Sequence, residues 1–253
     1  MKRDALALEQ YLRKCVEKEG YPGVAVCIRG PEGVLFEKGF GYRSIRRGTP
    51  VDGDTVFGIA SMSKSFTTLA CCILAAEGKL SLDDPISKYF PDLHVPGLPD
   101  EAVTLKLLGM HRAGIPPMEP LEWSIAMNSV ERDTEMHLHL MKTAPNKMET
   151  IGQIVDYISQ CSYKSLGSPG EYMSYSNEGY ALLSYVVDMA AGVTLEEFLN
   201  ERIFKPLGMS RSILDIDCTE ARALAGDDNV TSLFSFDENE KLLEDDDWSV
   251  LPP

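Results

Sequence analysis

The stretch Ser61-Met62-Ser63-Lys64 places a hydroxyl and an amine one helical turn apart, and it begins a helix-like run that extends to Glu77. Positions i and i+3 share one face of a helix, so the Lys64 ammonium can reach the Ser61 hydroxyl. A serine hydroxyl is a weak nucleophile until a base takes its proton. A lysine can be that base where burial and nearby positive charge lower its pKa. The stretch therefore indicates a serine nucleophile, but an N-capping serine followed by a solvated lysine fits it as well.

A second segment, Tyr175-Ser176-Asn177, follows a proline-glycine turn and precedes an amphipathic helix predicted from Gly179 to Ala191. Near the ammonium of Lys64, the phenolate form of Tyr175 is favoured and can act in acid–base catalysis. The amide of Asn177 can hold Lys64 and a substrate amide together. The alternative interpretation is a turn in which Ser176 or Asn177 caps the helix while Tyr175 packs.

Together these segments resemble the serine β-lactamase and penicillin-binding-protein superfamily, and in particular its class C β-lactamase-related serine hydrolases. That family has Ser-x-x-Lys at a helix start and Tyr-x-Asn downstream, which Ser61 and Lys64, and Tyr175 and Asn177, match. Other stretches that resemble the family are Gly23–Val26, Gly39–Tyr42, Gly78–Ile86, Thr104–Pro116 and Ile203–Met209. The resemblance spans residues 20 to 215.

The resemblance implies an α+β fold of the β-lactamase/transpeptidase-like kind, with a helical region beside an antiparallel sheet. We expect residues 1–253 to form a single domain, with the N-terminal hairpin of the sheet in residues 20–60 and the helical region in residues 61–215. In the family the sheet combines N-terminal strands with strands from the end of the chain. We expect only the first two strands here, with the C-terminal strands missing.

The third motif of the family, a strand carrying Lys-Thr-Gly or His-x-Gly, has no match after Asn177. In the family this strand supplies the second N–H of the oxyanion hole, the first coming from the nucleophile. The resemblance therefore implies a domain that is incomplete at its C-terminus and lacks one oxyanion donor. We expect such a chain to have low activity and to self-associate through the open edge of its sheet.

The function that the resemblance implies is a serine hydrolase acting on a small ester, amide, β-lactam or D-amino-acid peptide through an acyl-enzyme on Ser61. Lys64 and Tyr175 share the proton transfers as catalytic residues, Asn177 binds substrate, and no metal or organic cofactor is implied. The alternative is a non-catalytic binding or sensor module, or an inactive fragment, that keeps the fold.

Composition agrees with a soluble globular protein, since 44% of the 253 residues are hydrophobic and 25% are charged. The net charge of −15 argues against nucleic acid and anionic membranes as partners. The longest apolar run, Leu69–Ala76, is too short to span a bilayer. The charged N-terminus lacks the apolar core of a signal peptide, which predicts a cytoplasmic protein, although the mature form of an exported protein would begin similarly. The late acidic run, Glu244–Asp247, predicts a solvated loop or face.

The six cysteines include no Cys-x-x-Cys pair, so we predict unpaired and mostly buried thiols, with Cys71 and Cys72 in the core. His137 and His139 could offer two imidazoles to a metal, but no third ligand is evident, and a surface helix is the favoured interpretation. Periodicity predicts strands at Val24–Arg29 and Gly33–Gly41. It predicts helices from the N-terminus to Lys18, then at Ser61–Glu77, Ile151–Cys161, Gly179–Ala191 and Leu195–Ile203.

Overall fold

The computed structural model describes residues 2–115, 118–119, 123, 126–127, 130–143, 150–162, 164–215, 220–224, 229–237 and 239–246. The chain divides into two compact units. The first unit comprises residues 1–58, 127–138 and 211–253, and the second unit comprises residues 59–126 and 139–210. The second unit contains most of the predicted helical region, and the first contains the predicted hairpin. The single-domain organisation stays a prediction.

The first unit begins with helix α1 (Lys2–Glu19) and continues into an antiparallel sheet of β1 (Gly23–Gly30), β2 (Gly33–Ser44) and β3 (Thr49–Pro50). The strand order is β1-β2-β3, and α1 packs against β1 and β2. Both predicted strands are present. The expectation of only two strands was wrong, because the chain turns after β2 and adds the short strand β3 to its free edge.

A late hairpin of β4 (Leu233–Phe236) and β5 (Leu242–Asp245) forms a separate two-stranded sheet in the first unit. This corrects the predicted solvated acidic loop, because the first residues of the acidic run belong to a half-buried strand. The physical reason is that the Glu244 carboxylate has protein donors in place of water. It accepts hydrogen bonds from Ser44 Oγ (2.6 Å), Ser232 Oγ (3.0 Å) and the backbone N–H of Arg46 (2.9 Å). Asp247 lies outside the described residues, as do three acidic residues that precede this run, Asp227, Asp228 and Glu238.

Glu244 is expected to make the stability of the first unit depend on pH. Burial alone would raise the pKa of its carboxyl. The hydrogen bonds from Ser44, Arg46 and Ser232 lower the pKa by more than burial raises it, so the net pKa lies below the ordinary 4.5. A carboxyl whose folded pKa is lowered stabilises the protein above its unfolded pKa, and this contribution disappears as pH falls through the folded pKa. The free energy of unfolding should therefore decline below pH 4.5.

The substitution Glu244→Gln should reduce the free energy of unfolding by about 1 kcal/mol at pH 7, because a neutral amide oxygen is a weaker acceptor in this partly exposed position. It should also flatten the decline below pH 4.5. Urea unfolding between pH 3 and pH 7 measures both effects. Glu32→Gln, in the exposed turn between β1 and β2, is the control and should match the wild type. Equal pH profiles for all three proteins would contradict the assigned role of Glu244.

The remaining helices follow in chain order. They are α2 (Lys64–Ala76), which follows a 3₁₀ turn at Ala60–Ser63, α3 (Leu105–Gly109), α4 (Glu135–Lys142), α5 (Ile151–Gln160), α6 (Asn177–Ala191), α7 (Leu195–Leu199), which continues into a π-helical turn at Asn200–Phe204, and α8 (Glu220–Leu224). The helix α8 belongs to the first unit, and α4 begins in the first unit and ends in the second. Two further 3₁₀ turns lie at Ile86–Lys88 and Asp100–Ala102.

The core of the second unit lies between α2 and α6, and α6 also packs against α3, α5 and α7. The side chains at its centre are almost fully buried: Ala70, Leu74, Leu108, Ile158, Leu182, Val186 and Val187. Gly78 directly follows the C-cap of α2, Glu77, and has φ +70°, and the next amide, Lys79 N–H, donates back to Leu74 O at 3.0 Å. This packing fixes the positions of α2 and α6, which carry the predicted site residues.

The cysteine predictions were correct only in part. Cys71 is buried, and burial raises the pKa of its thiol to about 12. Cys72 is exposed, because consecutive residues of a helix point about 100° apart and only one of them can face the core. Cys27 is exposed as well, so the described thiols are not mostly buried. Cys218 lies outside the described residues.

The two histidines of α4 differ in environment. His137 is buried, and its Nδ1 accepts a hydrogen bond from the backbone N–H of Asp133 at 3.1 Å, while His139 is exposed. Within the part of the chain that the structure describes, no three histidine, cysteine or acidic side chains are grouped to bind a metal ion. Over the same residues, no helix is both long and apolar enough to cross a membrane.

Candidate active site

The predicted nucleophile, Ser61, lies in the 3₁₀ turn that leads into α2, and its side chain is exposed. The preceding residue, Ala60, has φ +43°, a strained conformation for a residue with a Cβ atom. This bend lies at the first residue of the 3₁₀ turn that contains Ser61 and leads into α2. The first N–H groups of a helix have no partners within it, so the backbone around Ser61 can offer a donor to a developing oxyanion.

Lys64 contacts the nucleophile as its spacing predicted. Its Nζ donates hydrogen bonds to Ser61 Oγ (3.1 Å) and to Asn177 Oδ1 (2.8 Å). The alternative of an N-capping Ser61 is not what the structure contains, because Ser63 occupies the N-cap of α2 and makes no side-chain capping bond. The Lys64 side chain is half-buried, so it is not a freely solvated surface lysine.

Tyr175 lies on the other side of the Ser61 hydroxyl, with its own hydroxyl 2.5 Å from Ser61 Oγ. The Lys64 ammonium lies 5.0 Å from the centre of the Tyr175 ring. Burial raises the pKa of the Tyr175 phenol, but its hydrogen bonds with Lys64 and Ser61 and the positive charge of Lys64 outweigh the effect of burial, so the net pKa lies below the ordinary value of 10. Tyr175 is therefore easier to deprotonate than a free tyrosine, as a general base must be.

The start of α6 positions Tyr175 and Asn177 together. Ser176 is the N-cap, and its Oγ accepts a hydrogen bond from the backbone N–H of Gly179 at 3.0 Å. The same hydroxyl donates to the buried carboxylate of Glu178 at 3.1 Å. Asn177 is thereby fixed as the first helical residue, two positions before the start that periodicity predicted. The capping interpretation is confirmed for Ser176, while the functional roles of Tyr175 and Asn177 on either side of it stay predictions.

Two aromatic residues beside the site were not identified as functional from the sequence. The His111 ring stacks on Tyr175, with ring centres 4.3 Å apart and planes inclined by 28°. The Tyr180 hydroxyl donates to Gly109 O at 2.7 Å and lies 3.0 Å from Thr68 Oγ1. His111 stood in a stretch that resembles the family, but a stacking partner 64 positions away leaves no pattern in a single sequence.

All four predicted site residues thus lie together in the second unit, around the Ser61 hydroxyl. Residues 8–227 match the model of the Beta-lactamase family. Penicillin-binding protein 4* of Bacillus subtilis (strain 168) is 29% identical over 196 residues, which cover 78% of this chain. The octameric penicillin-binding protein homologue from Pyrococcus abyssi superposes with a TM-score of 0.78 at 30% identity, over 96% of this chain. The D-amino acid amidase from Ochrobactrum anthropi SV3 superposes with a TM-score of 0.61 at 28% identity, over 80% of this chain.

The matched relatives are considerably longer. The chain spans 38% of the Bacillus subtilis protein, 50% of the Pyrococcus abyssi protein and 49% of the amidase. The family match nevertheless covers most of the present chain and includes both segments that contribute to the site. On these grounds the chain belongs to the Beta-lactamase family of serine hydrolases, with the α+β fold that its sequence predicts.

Proposed function

We propose that this protein is a serine hydrolase that forms an acyl-enzyme on Ser61. The observation that carries the proposal is the position of the exposed Ser61 hydroxyl between the Lys64 ammonium and the Tyr175 phenol, with Lys64 Nζ at 3.1 Å and the Tyr175 hydroxyl at 2.5 Å. A hydroxyl held in this way can lose its proton as it attacks a carbonyl carbon. The strained backbone at Ala60, directly before Ser61, supports a functional role for this turn.

In the proposed mechanism, Tyr175 as phenolate accepts the Ser61 proton while the ammonium of Lys64 stabilises the negative charge of the phenolate. The Ser61 oxygen attacks the substrate carbonyl, and the backbone N–H of Ser61 stabilises the resulting oxyanion. Tyr175 then returns the proton to the leaving group as the carbonyl re-forms. In the second half of the reaction, water attacks the carbonyl carbon of the acyl-enzyme and gives its proton to Tyr175. Tyr175 passes that proton to Ser61 Oγ as the ester bond breaks, which restores the Ser61 hydroxyl and the phenolate and releases the acid.

Asn177 has a positioning role in this scheme and a binding role. Its Oδ1 holds the Lys64 ammonium at 2.8 Å, which keeps that cation between Ser61 and α6. The Nδ2 group of the same amide is a donor that suits a substrate carbonyl or carboxylate. The substrate we propose is a small ester, amide, β-lactam or D-amino-acid peptide. The similarity to penicillin-binding proteins and to a D-amino acid amidase supports that range.

The neighbours of the site residues in sequence support a substrate with an apolar group. Met62 is 68% exposed, Tyr172 is 54% exposed and Met173 is 73% exposed. Exposed apolar side chains on both segments of a site offer contact area that a substrate can bury.

Self-association also remains a prediction, which the octameric state of the Pyrococcus abyssi homologue supports and which light scattering can measure.

A panel of chromogenic substrates tests the proposed function. We expect the protein to release p-nitrophenol from p-nitrophenyl esters, and we expect either turnover or stable acylation with a chromogenic cephalosporin. The D- and L-phenylalanine p-nitroanilides form a matched pair that reports stereochemical preference at equal leaving-group chemistry. A protein that neither hydrolyses nor retains any of these compounds, at concentrations up to 1,000 times that of the protein, would contradict the proposal and favour a non-catalytic binding module.

A further inference from the structure

The ring of His111 has one defined hydrogen bond, and it fixes the protonation state of the ring. Nδ1 of His111 faces the backbone N–H of Ser176 at 3.1 Å. A backbone N–H can only donate, so Nδ1 must be the bare acceptor nitrogen and the ring proton must sit on Nε2. The imidazole that makes this contact is therefore neutral. Protonation of Nδ1 would place two hydrogen-bond donors opposite each other, so the hydrogen bond with Ser176 N–H would be lost.

The backbone of His111 is joined to the same segment. Its carbonyl accepts a hydrogen bond from Ser174 N–H at 2.7 Å, and the carbonyl of Arg112 accepts one from Gly170 N–H at 2.8 Å. The Arg112 guanidinium donates to the Gly170 carbonyl as well. His111 itself has φ +55°, a conformation that residues with a Cβ rarely adopt. This strained residue therefore bonds to the amides on both sides of Tyr175 while its ring stacks on the Tyr175 ring.

We propose that His111 is a positioning residue for the serine hydrolase reaction, which in its neutral form holds Tyr175 against Ser61 and on protonation releases it. The inference rests on the proposed function, because Tyr175 matters as the proton carrier of Ser61. Two independent contacts support it, namely the Ser176 N–H to Nδ1 hydrogen bond and the ring stack. Both contacts join His111 to the segment that carries Tyr175, one through the unprotonated Nδ1 at the N-cap of α6 and the other through the Tyr175 ring itself.

The surroundings of His111 favour the neutral form. Among the described residues, the titratable groups that face it are Lys64 from α2, Tyr175 from the segment before α6 and Tyr180 from α6. Burial, and then the positive charge of Lys64, lower the pKa of the imidazole below its ordinary 6.5. The ring therefore stays neutral at pH 7 and gains its proton only as pH falls below 6.5. Activity should accordingly show a second ionisation below pH 6.5, in addition to the one that belongs to Tyr175.

Two substitutions separate the acceptor from the stack. His111→Asn places an amide oxygen near the position of Nδ1 and tolerates positive φ, so it keeps the Ser176 contact but removes the titrating ring. His111→Phe keeps a ring for the stack but removes the acceptor. We expect His111→Phe to lower kcat about 100-fold with little change in KM, because a misplacement near 1 Å costs that much. We expect His111→Asn to lose about tenfold and to lack the ionisation below pH 6.5.

His94→Asn is the matched control, since His94 is an exposed histidine of the same unit that pairs with Asp100 at 3.0 Å. It should keep the wild-type kcat, KM and pH profile. Thermal unfolding of every variant reports folding separately from catalysis. Variants of His111 that unfold at lower temperature, yet show wild-type kcat and a wild-type ionisation below pH 6.5, would overturn the inference and leave His111 a structural residue.

A spectroscopic titration tests the inference without turnover. The chain has four histidines, so comparison with His111→Asn assigns the His111 signals in an NMR pH titration. In protein labelled with ¹³C-tyrosine, the Tyr175 ring signal should move with the same midpoint as the His111 signal, and this movement should vanish in His111→Asn. A Tyr175 ring signal whose chemical shift does not change as His111 is protonated would overturn the inference. Absence of Ser61 acylation in the wild type would instead contradict the proposed function, while the NMR coupling would still decide the link between His111 and Tyr175.

Discussion

Replacement of Ser61 by alanine should abolish ester hydrolysis, with a loss of at least about 10⁴-fold in kcat/KM, because the proposed acyl-enzyme forms on the hydroxyl that the substitution removes. The residual activity that we expect in this variant comes from substrate binding and electrostatic effects alone. Ser61 is exposed and lies outside the core, so the variant should fold as the wild type does. Hydrolysis of a p-nitrophenyl ester under pseudo-first-order conditions provides the measurement.

Ser63→Ala is the control for this prediction. Ser63 lies two residues further along the same turn and occupies the N-cap of α2, but it makes no side-chain capping bond. We expect it to retain wild-type activity within about threefold, since removing a side chain that makes no capping bond costs little. If Ser61→Ala kept more than a tenth of the wild-type rate, or if Ser63→Ala were the inactive variant, the assignment of the nucleophile would be wrong.

Lys64→Met and Tyr175→Phe should each reduce kcat/KM by about 10³-fold, and the double variant should be little worse than either one. The reason is that the two groups act as one proton carrier. The hydrogen bond and charge of Lys64 lower the pKa of Tyr175 against the opposing effect of burial. Without Lys64, the phenolate of Tyr175 is no longer favoured, and without Tyr175, the ammonium has no phenolate to stabilise.

The pH dependence supplies a second readout of the same prediction. A general base works when deprotonated, so the rate of the wild type should rise with pH through the lowered pKa of Tyr175, below 10. In Lys64→Met that pKa rises, so the rising limb should move to higher pH. Lys79→Met and Tyr185→Phe are matched controls on exposed residues of the same unit. Losses that multiply in the double variant, with an unmoved limb in Lys64→Met, would contradict a shared proton carrier.

The contacts among Ser61, Lys64, Tyr175 and Asn177 were largely predictable because short-range geometry determines them. The i, i+3 spacing brings Lys64 to Ser61, and the N-cap at Ser176 fixes the side chains on either side of it. What joins the two segments is the packing of α2 against α6, which helix periodicity indicates in kind but not in partner. The family resemblance supplied that pairing, and the superposition on related structures confirms the fold.

The misreading of Glu244 and the omission of His111 arose because distant residues decide their environment. Glu244 looked like part of a solvated acidic run, but the hydroxyls of Ser44 and Ser232 and the Arg46 amide provide its donors. Those partners are 200, 12 and 198 positions away and leave no local pattern. His111 was overlooked as a site residue for the same reason, since its stacking partner comes from another segment.

The central claim is that Ser61 is the residue that becomes acylated, and mapping of a covalent adduct tests it most directly. The wild-type protein is incubated with a fluorophosphonate, digested, and sequenced by tandem mass spectrometry beside the Ser61→Ala and Ser63→Ala variants. We expect one adduct, on the peptide that contains residues 61–64 and at Ser61 itself, present in the wild type and in Ser63→Ala and absent from Ser61→Ala. An adduct on a different serine, with Ser61 unmodified in the wild type, would contradict the account.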